Sequence, residues 1–91
     1  MKEQVIKLIK KALKEKRVKL KEEEIEKLLE IPPTADMGDY AFPCFFLAER
    51  LKEEPRQIAL EIREKIGTPS ATDFEDIQTA GPYVNFFFNR K

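Results

Sequence analysis

The sequence predicts an α+β domain in which a small antiparallel sheet packs against helices. Three observations predict it. Apolar residues recur at helical spacing near the start and again in the middle of the chain, the last stretch alternates with the period of a strand, and the strands fall together at the end instead of alternating with helices as a βαβ array would. The chain has 91 residues, and a domain of that size buries roughly 60 to 65% of its unfolded surface, enough for one compact core. Residues 1–91 are therefore read as a single domain.

From Lys2 to about Lys16, Val5, Leu8, Ile9, Ala12 and Leu13 fall at i, i+3, i+4, i+7 and i+8, one face of a helix, while Lys7, Lys10, Lys11 and Lys14 occupy the other. Glu22, Glu23 and Glu24 favour a helix N-terminus through the helix dipole, so a second, shorter helix is expected over about 22–28. Leu29 to Ile31 then extends as a brief strand, because Pro32-Pro33 ends any helix and pushes the residue before it to extended geometry. Pro32 to Asp39 is a loop, in which Gly38 takes a positive φ.

Tyr40 to about Lys52 is apolar nearly all round at its start and is expected as one buried helix, capped by Asp39, with Pro43 close enough to the beginning to be tolerated. Phe45 is placed in the core. Pro55 opens a further helix at its first position, with Ile58, Ala59, Ile62 and Ile66 inward and Gly67 as its stop. Gly67 to Asp73 is a loop, and two strands, Phe74 to Thr79 and Tyr83 to Asn89, flank Ala80-Gly81-Pro82.

Composition excludes several function classes. There is one cysteine and no histidine, so neither an internal disulfide nor an ordinary Cys/His zinc site is available, and no metal or cofactor of the chain's own is expected. Nucleophilic catalysis lacks a base, and Cys44 in an apolar stretch reads as a structural thiol. Gly38, Gly67 and Gly81 are too scattered for a phosphate loop. No apolar run approaches the roughly 18 residues of a membrane span, and the lysine-rich start has no signal-peptide pattern, so a cytoplasmic protein is expected. Charge is balanced at 17 basic and 17 acidic residues but unevenly spread: residues 1–21 hold nine Lys and Arg against two Glu, and residues 22–91 hold eight against fifteen Asp and Glu. Such a basic arm steers toward a polyanion or attracts a neighbouring acidic surface.

The last strand carries the strongest functional signal. Val84, Phe86 and Phe88 point one way and suit a core; Tyr83, Asn85, Phe87 and Asn89 point the other. The second face interleaves rings with side-chain amides, which can stack on an unpaired base and bond its edge. It equally fits an edge strand packed partly under a neighbour. Tyr83 and Asn85 are expected to be more exposed than the core face. The lysines of the first helix read first as a solvated face and second as phosphate contacts.

Taken in order, Met37-Gly38-Asp39-Tyr40-Ala41, Leu47-Ala48-Glu49-Arg50-Leu51, Pro55-Arg56-Gln57-Ile58-Ala59 and Ala80-Gly81-Pro82-Tyr83-Val84-Asn85-Phe86 resemble the N-terminal additional domain of arginyl-tRNA synthetase over the whole of residues 1–91. The resemblance implies an α+β domain that leans on the tRNA elbow, with the aromatic and the amide of the final motif, here Tyr83 and Asn85, meeting a D-loop base. Phe87 on the same face and Lys7, Lys11 and Lys14 complete the expected tRNA-binding set. A complete class I synthetase continues into a nucleotide-binding fold with a His-rich signature, which this chain lacks. The resemblance therefore implies an isolated domain or free-standing homologue, not itself an enzyme, with ATP and arginine bound by the catalytic domain of a parent arginine–tRNA ligase. The competing expectation is a protein-interaction module that docks on a catalytic domain or self-associates through the same aromatic strand.

Overall fold

The structure is a computed structural model that describes residues 2–67 and 74–88. Helix α1 spans Lys2–Glu15, α2 Glu22–Leu28, α3 Phe45–Leu51 and α4 Pro55–Ile66; strands β1 Tyr40–Pro43, β2 Phe74–Ala80 and β3 Tyr83–Phe88 form one antiparallel sheet in the order β1-β3-β2. The architecture is the expected α+β arrangement. Expectations for Thr68 to Asp73 and for Asn89 fall outside the described residues.

Helices α1 and α4 follow their periodicity. Val5, Ile9, Ala12 and Leu13 of α1 and Ile58, Ala59, Ile62 and Ile66 of α4 are buried against each other and against the sheet. Helix α1 also lies against α2, whose first turn is closed by the Glu24 carboxylate accepting the Lys21 backbone N–H at 3.2 Å. Lys16, just past α1, is driven into the seam between α1 and α4 with only 9% of its side chain exposed and pairs with Glu53, at 3.6 Å, and with Glu61 of α4. The long aliphatic stem packs while the ammonium meets two carboxylates, which is how a lysine tolerates burial. Arg63 ties the other end of α4 to the sheet, donating from Nε to the Ile77 carbonyl at 2.6 Å and from a terminal nitrogen to the Gly67 carbonyl at 2.9 Å.

The expected helix over Tyr40 to Lys52 divides in two. Tyr40–Pro43 is a strand paired with β3 (Tyr40 with Phe86, Phe42 with Val84), and α3 begins only at Phe45. A short apolar run does not distinguish a buried helix from a strand covered on both faces. Proline tips the balance toward extended backbone for Phe42, and at the end of an edge strand its missing N–H costs little. Two consequences follow. Asp39 caps no helix; its carboxylate accepts the Phe88 N–H at 2.9 Å, and its own N–H donates to the Phe86 carbonyl at 2.8 Å. Phe45, placed in the core from sequence, is 52% exposed, and Phe42 takes the core position instead.

The brief strand at Leu29 to Ile31 contracts to a single bridge, in which Glu30 and Ala41 exchange both backbone hydrogen bonds at 2.8 Å. The loop beyond it contains a 3₁₀ turn, Ala35–Met37. Between β2 and β3, Gly81 has φ of 59° and Pro82 follows; positive φ and then a proline ring is the II′ order, whose twist suits a two-residue hairpin.

The candidate nucleobase pocket on the outer face of the sheet

Alternation along β3 assigns its two faces, and residues opposite one another on antiparallel strands share a face. Val84, Phe86 and Phe88, with Phe42 and Ile77 from the neighbouring strands, are buried toward the helices. Tyr83, Asn85 and Phe87 take the outer face, together with Ala41 and Pro43 of β1 and Gln78 and Ala80 of β2.

Tyr83 and Phe87 are half-buried, but the expectation of exposure fails at Asn85, which is only 4% exposed. The cause is the loop after Glu30. Anchored at one end by the Glu30–Ala41 bridge and at the other by the Asp39 contacts to Phe86 and Phe88, it folds over the middle of the sheet's outer face. Gly38 makes that close approach possible. It has φ of 97°, and a Cβ there would lie 2.8 Å from the Phe86 carbonyl oxygen.

Loop and sheet enclose a cavity of about 140 Å³. Pro32, Pro33 and Met37 form the loop side; Ala41, Tyr83 and Asn85 form the sheet side, and Glu30 stands at the junction. Behind the cavity surface, Asn85 Oδ1 is buried and receives no hydrogen bond among the described residues. A buried acceptor without a donor is costly, about 1–3 kcal/mol, so this oxygen marks a strained point in the sheet-side wall. The Tyr83 ring is held edge-on by Phe45, with centroids 5.9 Å apart and planes at 85°. That contact fixes the phenol at the mouth of the cavity and gives the exposed Phe45 a role outside the core.

The structure thus brings Tyr83 and Asn85 together. Lys7, Lys11 and Lys14, like Lys10, are exposed on α1, a helix that rests on α4 and α2, and none of them lines the cavity. Phe87 is on the outer face but is also absent from the cavity wall. Sequence reasoning missed Glu30, Met37 and Ala41. The sequence signal for Glu30 was the extended geometry enforced before Pro32, which fixed a brief strand there without naming its partner, and Ala41 and Met37 appeared only as members of a family motif.

Titration contributes little at this site. Burial pushes the Cys44 thiol up to about 12, as expected for an inert structural cysteine. The Asp76 carboxyl is held below its ordinary value by the Gln78 side-chain amide and then by the Ile77 backbone N–H. No group of three or more metal-ligating side chains occurs among the described residues, and no helix among them is long and apolar enough to cross a membrane.

Comparison with known proteins gives this geometry a family. Residues 3–88 match the family model described as the arginyl tRNA synthetase N terminal domain. The chain is 54% identical over 66 residues to an arginine–tRNA ligase of Clostridium botulinum, covering 72% of this chain and 11% of that protein. It is 48% identical over 84 residues to the arginine–tRNA ligase of Clostridium perfringens, covering 92% of this chain and 14% of the ligase. Among solved structures, Thermus thermophilus arginyl-tRNA synthetase superimposes with a TM-score of 0.79 at 28% identity, over 98% of this chain and 14% of that one. The chain spans only about a tenth to a seventh of these relatives, as a single domain of a long enzyme would. With its family model matched from near the first residue through the end of β3, the chain belongs to the arginyl-tRNA synthetase N-terminal domain family.

Proposed function

We propose that this domain binds tRNA and takes an unpaired D-loop base into the outer-face pocket, supporting arginine–tRNA ligation by a parent enzyme whose catalytic domain binds ATP and arginine. Tyr83 stacks on the base and Asn85 bonds its edge. Lys7, Lys11 and Lys14 act at a distance on phosphates, Phe87 flanks the strand, and the domain needs no cofactor of its own. The setting for this work is the cytoplasm.

The observation that carries the reading is the outer-face cavity itself, walled by the Tyr83 ring and two prolines with Asn85 in its lining. Single-stranded RNA is recognised by splaying a base out, stacking it on an aromatic and bonding its edge. A flat base suits both features of the cavity, an aromatic and proline wall and a side-chain amide in the lining.

The test is titration of the isotopically labelled 91-residue chain with an arginine tRNA transcript, followed by NMR. The expected result is movement of the Tyr83 ring and Asn85 amide signals, abolished when the D-loop is replaced by a short tetraloop, with affinity falling as salt rises. Binding that ignores the D-loop overturns the reading.

A second reading rests on Phe45 and Phe46, which are 52% and 44% exposed at the start of α3 beside Tyr83. An aromatic patch of this kind suits docking on a protein surface such as a catalytic domain. It predicts binding insensitive to salt and to tRNA.

A further inference from the structure

The sheet has two edges, and the chain closes them differently. At β1, Glu30 exchanges both backbone hydrogen bonds with Ala41, and Pro43 has no N–H to offer, so the chain itself covers that edge. Strand β2 forms the other edge, with β3 on one side only. The ladder decides which of its residues turn outward. Cys44 donates to the Pro82 carbonyl at 3.0 Å, so in the β1–β3 register Val84 and Phe86 bond toward β1, while Tyr83 and Asn85 bond toward β2. The partners of Tyr83 and Asn85 on β2 are Ala80 and Gln78; the backbone N–H and C=O groups of Ile77 and Thr79 therefore point away from the sheet.

An outward row of this kind is a template for another strand. At Ile77 both groups are already held by charged side chains. The Asp76 carboxylate accepts the Ile77 N–H at 2.8 Å and is steadied by the Gln78 amide at 2.6 Å. Arg63 reaches across from α4 and donates from Nε to the Ile77 carbonyl at 2.6 Å, and its second bond, to the Gly67 carbonyl at 2.9 Å, fixes the guanidinium there. The register also shifts between Phe74 and Asp76, which kinks the ladder immediately before this residue.

We infer that Arg63 and Asp76 form a latch on the free edge of β2, and that the latch keeps a second copy of this chain from adding its own β2 in antiparallel pairing. A second copy fits this edge because the edge is self-complementary. Two β2 strands related by a twofold axis present the same Ile77 groups to each other, donor to acceptor and acceptor to donor. The incoming strand must first displace an anion from the N–H and a cation from the carbonyl, and each of those charge-assisted bonds is about twice as strong as the neutral bond that replaces it. With Ile77 closed, Thr79 offers a single residue, too short a run to hold a strand.

Sedimentation equilibrium of the full 91-residue chain tests the latch. Wild type is expected to stay monomeric. Arg63→Ala is expected to self-associate at least about tenfold more tightly, the consequence of freeing the carbonyl from one charge-assisted bond, with mixed-label NMR placing the intermolecular contacts at β2. Thr79→Pro separates edge pairing from a general loss of stability, because it removes an outward N–H that the β2–β3 ladder does not use. Arg63→Ala/Thr79→Pro is therefore expected to return to monomer, whereas association through a partly unfolded chain would persist. If circular dichroism shows Arg63→Ala unfolded, Asp76→Ala takes its place, with association expected to rise in the same direction, since Asp76 is exposed and outside the core. A wild type that already dimerises through β2, a folded variant that remains as monomeric as wild type, or an association that Thr79→Pro fails to reverse overturns the inference.

Discussion

Gly38 and Phe86 approach so closely that a Cβ on residue 38 would lie 2.8 Å from the Phe86 carbonyl oxygen, at a φ of 97°. The contact seats the loop over the outer face of β3, because the next residue, Asp39, donates to that same carbonyl. Gly38→Ala is therefore expected to lower stability by about 2–4 kcal/mol, combining positive-φ strain with a clash against backbone that cannot rotate away. Denaturant melts measure it, and a loss below about 0.5 kcal/mol would mean that the loop does not sit where the structure puts it.

Substitutions of the large apolar residues on β1, α3 and α4 divide according to burial. Ile62 and Phe42 are fully buried, whereas Phe45 is 52% exposed. Ile62→Ala is expected to cost about 2–5 kcal/mol and Phe42→Ala about 3–5, while Phe45→Ala costs under about 1. Equilibrium unfolding in urea checks the order, and a Phe45 loss equal to that of Ile62 contradicts it.

That division marks where the sequence could be read and where it could not. Helices α1 and α4 and the β2–β3 hairpin were legible because each carries its own period and its own stop signal, such as Pro55 and Gly67 for α4. Tyr40 to Pro43 was not, because four apolar residues fit either period and the decisive fact, pairing with β3, lies 40 or more residues away in the chain. The candidate site was half legible. Alternation identified Tyr83 and Asn85 as partners on one face, but Asn85 is buried by a loop whose path depends on the Glu30–Ala41 bridge and on Gly38, and local pattern does not report such long-range contacts.

The Lys16 seam joins the end of α1 to α4. Its ammonium pairs with Glu61 and Glu53, whose side chains remain 32% and 40% exposed, so water moderates the loss when the cation is removed. Lys16→Met, which keeps the stem, is expected to cost about 1–2 kcal/mol, less than the 3–5 of a fully buried pair. A Lys16/Glu61 double-mutant cycle should return a favourable coupling, and a zero coupling would reduce the contact to surface decoration.

Cys44 sets a stability trend at high pH. Its thiol is pushed from 9.0 up to about 12 in the folded chain by burial. Above pH 9 the unfolded state releases this proton and the folded state retains it, so the contribution present below pH 9 declines as pH rises toward 12. Cys44→Ala should flatten that decline in melts across the range. In parallel, native protein at pH 9 should resist iodoacetamide while unfolded protein reacts at once.

The central claim is that Tyr83 and Asn85 receive a D-loop base, and the most direct measurement is tRNA affinity across D-loop base variants for wild type, Tyr83→Ala, Tyr83→Phe and Asn85→Ala. Tyr83→Ala is expected to lose about 1–3 kcal/mol of binding to every variant and Tyr83→Phe little, since stacking needs only the ring. Asn85→Ala is expected to erase the preference among bases more than the affinity itself. Unchanged affinity in Tyr83→Ala together with an unchanged base preference in Asn85→Ala would contradict the account and leave the aromatic face as a protein-docking surface.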